Sequence, residues 1–256
     1  MRISTLFVAL LFAVVTFAIW ALINRPTEVV PWPEEISGFA FAPFQRGQDA
    51  IFNVMPTEDQ IRSDVELLSD KARALRTYSS LSSLAVVPAL ARDADMDVTL
   101  GIWLGTDAQV NQQEIEAGVA LANAYSNINH VIVGNETFLR GEFSVADLAV
   151  FLDRVRSQIA QPVSTAEPWH VWLHYPELAE HVDFITVHML PYWEGIGVDY
   201  AVDFIVEKMD ELQEAFPNKM IMIGEVGWPS DGRTREGAVA SEANEALFLR
   251  RFLHRA

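Results

Sequence analysis

Glu136 closes the run Val131-Ile132-Val133-Gly134-Asn135-Glu136, and Glu225 follows Met220-Ile221-Met222-Ile223-Gly224 and precedes Val226-Gly227-Trp228-Pro229. Each carboxylate stands at the exit of a short stretch of β-branched and aliphatic residues, where a strand would end. Strands that deliver acids at their C-terminal ends are how a (β/α) barrel assembles a site over its mouth. Two facing carboxylates are the minimum equipment for breaking a glycosidic bond: with retention, one protonates the leaving oxygen and the other attacks the sugar carbon. A single glutamate of this kind reads equally well as a solvated loop residue. Two of them, each behind a strand and a glycine, read as a pair.

Other side chains fall near strand exits and suit the same chemistry. Asn135 can hydrogen-bond a sugar 2-hydroxyl, a contact that strengthens towards the transition state. Tyr78, Trp169, Tyr192 and Trp228 offer flat rings for the apolar C–H faces of sugars. For Trp228 and Trp193, packing of the rim is an equal reading. Glu167, a third acid at a strand exit, is a candidate to bind ligand or tune a neighbouring pKa. His188, at the end of a strand, is the histidine placed to line a pocket. His170 and His174 have metal-ligand spacing but lack a His-Glu-x-x-His context, so a surface or rim pair fits better. Ser164 and Ser230 stand in no nucleophile-elbow context. The expected chemistry needs no metal and no cofactor.

These residues need elements to hold them. Strand-like runs occur at Ile36–Pro43, Leu75–Tyr78, Val98–Leu104, Val131–Asn135, Val163–Ala166, Phe184–Val187 and Met220–Ile223. Between them lie helical stretches: one opens at Pro56-Thr57-Glu58 and ends near Ala72, another spans Gln113–Tyr125. A third opens on the capping-box spacing Ser144-x-x-Asp147; Tyr200–Phe216 and Glu242–His254 come after it. Strict alternation with short connections predicts a parallel sheet, and no Gly-x-Gly-x-x-Gly follows any strand, which disfavours a dinucleotide fold. The expected architecture is α/β, a (β/α)8 TIM barrel over 36–256 lacking its eighth strand and truncated at the C-terminus.

The 256 residues suit one barrel-sized domain, and half of them are hydrophobic. A formal net charge of -17 disfavours nucleic acid and anionic membrane surfaces, which recruit clustered Lys and Arg, but sets no barrier to a neutral polymer. Without cysteine there are no disulfides and no thiolate zinc sites. Ile3 to Ile23 is an apolar run long enough to span a bilayer, with Arg2 before it and Arg25 after. Trp20, Leu22 and Ile23 occupy the zone where a removable signal would carry small residues, which favours an uncleaved anchor over 1–25. Pro26, Pro31 and Pro33 make 26–35 an extended linker. The expected setting is a single pass in the inner membrane, with the acidic domain facing the periplasm or cell exterior.

Val133-Gly134-Asn135-Glu136 and Gly224-Glu225-Val226-Gly227-Trp228-Pro229-Ser230 resemble the active-site motifs of glycoside hydrolase family 17, the β-1,3-glucanases and glucan transglycosylases. Phe41–Gln48, Ile61–Asp64, Leu75–Ser79, Pro162–Trp172 and Val187–Glu194 resemble its bacterial branch, so the likeness runs from about Ile36 to the end. The resemblance implies a (β/α)8 barrel and a retaining mechanism on β-1,3-linked glucan. It casts Glu136 as acid/base and Glu225 as nucleophile, with carboxyl groups about 5 to 5.5 Å apart. It also implies a position ahead of a membrane glycosyltransferase domain in a longer protein. The competing expectation is a non-catalytic glucan-binding module or an inactive truncated barrel. A barrel glycosidase of another clan, acting on other sugars, would share the same carboxylates.

Overall fold

A computed structural model describes residues 3–24, 30–33 and 36–256. Arg2 and Arg25, and positions 26–29, 34 and 35 of the expected linker, lie outside the described residues. The chain divides into two units, Met1–Pro31 and Trp32–Ala256. In the first, α1 (Ile3–Ile23) is an uninterrupted apolar helix long enough to cross a membrane; a signal sequence has the same length and composition.

In the second unit the aliphatic runs form parallel strands paired strictly in chain order. They are β1 (Ile36–Ala40), β2 (Ala72–Arg76), β3 (Asp97–Ile102), β4 (Ile128–Asn135), β5 (Val163–Pro168), β6 (Ile185–Met189) and β7 (Ile221–Val226). The helices between and after them are α2 (Glu58–Leu68), α3 (Val87–Asp93), α4 (Ala108–Ala124), α5 (Val145–Arg156), α6 (Trp169–His174), α7 (Ala201–Ala215) and α8 (Glu242–Arg255). The result is a nearly closed, TIM-barrel-like ring of seven strands. Covered on both faces, β5 and β6 are buried throughout, as parallel strands require. β1 and β7, which end the sheet, remain partly exposed.

Caps set boundaries that periodicity alone placed differently. α2 opens on a capping box between Thr57 and Gln60 and stops at Leu68, so Ala72 begins β2 instead of ending the helix. α4 starts at Ala108, ahead of the expected Gln113, because the Asp107 side chain accepts from the N–H groups of Gln109 and Val110. The Ser144–Asp147 capping box forms as its spacing predicts. α3 and α6, short and flanked by 3-10 turns, complete the alternation where the sequence carried no clear helical period.

Two register shifts interrupt the ladders near strand exits. Against β5, β4 pairs Ile132 with Ser164 and then Asn135 with Ala166, so β4 carries one extra residue at Val133-Gly134. Against β6, β7 pairs Ile223 with Val187 and then Glu225 with His188, so Gly224 is extra. A bulge turns the residues beyond it and locally increases twist. Both glutamates lie just past one.

Candidate active site

Arg76 is the last residue of β2 and buried. Its Nη1 donates to Glu225 Oε1 at 2.8 Å and its Nη2 to Asn135 Oδ1 at 2.5 Å. Tyr78, two residues on, donates its hydroxyl to the same Glu225 oxygen at 2.8 Å, and the Arg76 guanidinium lies 4.3 Å from its ring centre. His188 on β6 is 1% exposed. Its Nδ1 contacts Glu136 Oε1 at 2.7 Å while its Nε2 lies 3.5 Å from Glu225 Oε1. One imidazole therefore touches both carboxylates, whose side chains keep 26% and 22% of their surface open. Ends of β2, β4, β6 and β7 converge on this single cluster.

Local backbone chemistry explains the convergence. A Cβ on Gly224 would sit 2.6 Å from the Thr186 methyl and 3.3 Å from the His188 ring, so glycine lets β7 close on β6 with the imidazole between. Gly134 adopts φ +82° and Glu136 itself φ +55°, a left-handed conformation that costs a non-glycine residue about 1–2 kcal/mol. Neighbours hold it there. The Glu136 N–H donates to the Ala166 carbonyl at 2.7 Å, and its own carbonyl accepts from the Arg140 N–H at 2.9 Å. The Arg140 guanidinium donates to the carbonyls of Asn135 and, at 2.8 Å, Leu104.

Electrostatics act on the same groups. The hydrogen bond from His188 holds the Glu136 carboxyl below the ordinary carboxylate range, against the upward pull of partial burial; the charges of His188, Arg140 and Arg76 add to the lowering. Burial raises the Tyr78 hydroxyl well above the ordinary phenol range, so its proton stays on as a donor to Glu225. Glu167, 0% exposed within β5, accepts from the N–H groups of Phe138 at 2.8 Å and Leu139 at 3.2 Å, and from the Thr137 hydroxyl at 3.4 Å. Burial, with a smaller push from the Glu136 charge and against those hydrogen bonds, brings its carboxyl up to about 7.

Of the residues singled out in the sequence, the structure joins Glu136, Glu225, Asn135, Tyr78 and His188 in one network through Arg76, whose Nη1 also lies 3.5 Å from His188 Nε2, with Glu167 behind the turn that follows Glu136. Three rings lie apart from it. Trp169 opens α6, donates to Glu194 at 3.3 Å and has Lys208 4.8 Å from its ring centre. Trp228 is 5% exposed, donating to the Val239 carbonyl at 3.0 Å and packing on Phe248. Tyr192, equally buried, crosses Trp228 edge to face and donates to the Arg233 carbonyl. His174 Nδ1 faces the His170 carbonyl at 2.9 Å, a local helical contact, and among the described residues no group of three or more His, Cys, Asp or Glu could hold a metal ion.

Sequence reasoning missed two members. Arg76 ties Glu225 to Asn135, and its signal was a cation inside the strand-like run Leu75-Arg76-Thr77-Tyr78. Buried Glu114 on α4 accepts from the Ser79 hydroxyl, the Ser80 N–H at 2.8 Å and the Trp103 N–H at 3.3 Å, which pins the loop after β2 to the exit of β3. Burial raises its pKa.

A family model described as the BtgE/BtgC glycoside hydrolase domain matches residues 38–256. The chain belongs to the BtgE/BtgC glycoside hydrolase family. Among solved structures, the glycoside hydrolase family 17 β-1,3-glucanosyltransferase from Rhizomucor miehei, as an active-site mutant in complex with laminaritriose, superposes with a TM-score of 0.75 at 27% identity, covering 86% of this chain and 81% of that one. The probable β-glucosidase btgE of Aspergillus fumigatus is 22% identical over 222 residues, 83% of this chain. The glucan 1,3-β-glucosidase of Schizosaccharomyces pombe is 27% identical over 194 residues, 68% of this chain and 60% of that protein. The chain spans 38% of the length of the Aspergillus relative. Membership makes this a glycoside hydrolase domain, as the strand-exit acids and the barrel suggested.

Proposed function

We propose that this glycoside hydrolase domain is a retaining β-1,3-glucan glycosidase or glucanosyltransferase that works by double displacement through Glu225 and Glu136. The observation that carries the reading is the shared imidazole: His188 contacts both carboxylates, which gathers them at one side chain while part of each stays open. Arg76 and Tyr78 hold and aim the Glu225 carboxylate, as a nucleophile needs. Glu225 attacks the anomeric carbon while Glu136 gives its proton to the departing oxygen. Glu136 then takes a proton from the incoming water or sugar hydroxyl, and the ester to Glu225 breaks. In the open site His188 favours ionised Glu136; a sugar that expels water from the cleft favours the neutral acid instead. Asn135, fixed by Arg76, is placed for the 2-hydroxyl. The relatives named for β-1,3-glucan linkages support this substrate class.

Incubation with laminari-oligosaccharides tests the activity, and product length separates transfer (longer chains) from hydrolysis (shorter chains only). Glu225→Gln should abolish turnover while leaving oligosaccharide binding, and Glu136→Gln should cost about 10²- to 10⁴-fold on the same substrate. A 2-deoxy-2-fluoro glycoside should label Glu225. Label on another residue, or products of inverted configuration, would remove the retaining assignment. The apolar α1 supports a further part of the proposal: it anchors the chain in the inner membrane, and 36–256 is the catalytic unit held outside the cytoplasm.

A further inference from the structure

Glu167 is a carboxyl that cannot meet a sugar. It is fully buried in β5, and its partners come from one short segment, the turn Thr137–Leu139 after Glu136. Both of its oxygens are used: Oε1 accepts from Phe138, Oε2 from Leu139. That turn follows directly on the left-handed Glu136 backbone, a conformation that persists only where surroundings over-determine it. The other constraint from the same strand is the Ala166 carbonyl, adjacent to Glu167 in sequence, which accepts the Glu136 N–H. β5 thus grips both the residue and the turn after it.

We propose that Glu167 is a positioning residue for the acid/base: by holding the N–H groups of Phe138 and Leu139 it fixes the turn that aims the Glu136 carboxyl at His188 and the cleft. The inference rests on Glu136 being the acid/base. Glu136 is the charged group that bears on Glu167, while His188, Arg140 and Arg76 bear on Glu136. Loss of the Glu167 grip therefore registers in how well Glu136 delivers a proton, before it registers in substrate binding.

The test compares leaving groups. Glu167→Gln preserves shape but puts an amide NH₂ where one of two acceptors stood. A dinitrophenyl β-laminaribioside needs no protonation to leave, whereas a laminari-oligosaccharide does. Glu167→Gln should lower kcat/KM on the oligosaccharide by about 10- to 100-fold, the scale of a misplaced group, and on the dinitrophenyl substrate by less than about threefold. KM should hold, and the basic limb of the pH–rate profile should move down, since Glu136 no longer faces a group that can become negative. Equal losses on both substrates, or unchanged kinetics and pH profile, overturn the proposal. Should Glu167→Gln fold poorly, Thr137→Val removes only the hydroxyl contact and should show the same selectivity at smaller amplitude; no selectivity there overturns it equally. Glu136→Gln run alongside separates the two readings: if it shows no leaving-group dependence, the acid/base assignment fails; if it does and Glu167→Gln does not, only the positioning role fails.

Discussion

Arg76 and Tyr78 converge on one oxygen of Glu225, and the forked guanidinium spans from there to Asn135. Lysine offers a point charge and cannot bridge both. Arg76→Lys should forfeit one charge-assisted hydrogen bond, about 1.5–3 kcal/mol, read as roughly a 10- to 100-fold fall in kcat/KM; a fall under threefold would show that the fork does not orient Glu225. Glu167 gives a second expectation. Its folded-state value of about 7 lies above the ordinary 4.5, so the unfolded chain ionises first as pH rises. Its contribution to stability is therefore complete below about 4.5 and falls by about 3 kcal/mol on the way to 7. The lowered Glu136 works in the opposite sense, adding stability at neutral pH that is lost as pH drops through its folded value. Urea unfolding at pH 4.5 and 7 should show the fall in the wild type and not in Glu167→Gln. Parallel behaviour of the two would mean that Glu167 titrates as a free carboxyl. Glu136 and Glu225 were legible because one directly follows β4 and the other is the penultimate residue of β7. Arg76 was not, because its partner lies 149 residues away and a cation in a strand-like run does not say which group it pairs with. Tyr192 and Trp228 show the converse: a ring after a strand reads the same whether it ends on the rim or, like these, inside it.

Strand order was legible because parallel strands buried on two faces leave aliphatic runs, and each expected run overlaps a strand found, β2 (Ala72–Arg76) sharing only Leu75 and Arg76 with the expected Leu75–Tyr78. The bulges were not, since register depends on the neighbouring strand and the sequence marks them only by Gly134 and Gly224. Each glycine is open to test. Gly134→Ala forces a side chain into φ +82° with its Cβ 2.9 Å from the Thr137 methyl, and should destabilise by about 1–2 kcal/mol. Gly224→Ala meets Thr186 and His188, and overpacking of this kind costs about 1–3 kcal/mol. Each kcal/mol should lower Tm by about 2–4 °C in a domain of this size. Gly224→Ala should lose more activity than stability predicts, because the displaced ring serves both carboxylates. A normal Tm with normal turnover would show that β6 and β7 have slack at this point. The short α3 and α6 escaped notice for another reason: seven and six residues give too few turns for a helical period to emerge.

At the scale of the whole chain, a formal charge of -17 and an apolar α1 predict opposite affinities in one molecule. The barrel unit alone should ignore anionic vesicles, while the full chain should sediment with membranes and resist carbonate extraction. A shorter, soluble product in cells would show instead that α1 is a removed signal. The barrel is also held by contacts that its own centre can report. His188 reaches Glu136 on one side and Glu225 on the other; Glu225 belongs to β7, which pairs with β6 directly, whereas Glu136 follows β4, which is joined to β6 through β5. Loosening between β6 and β7 lengthens the Nε2 contact, and loosening between β4, β5 and β6 lengthens the Nδ1 contact. The two ring nitrogens carry separate ¹⁵N resonances, so a single labelled histidine becomes a two-channel gauge of which seam opens first as the protein is warmed.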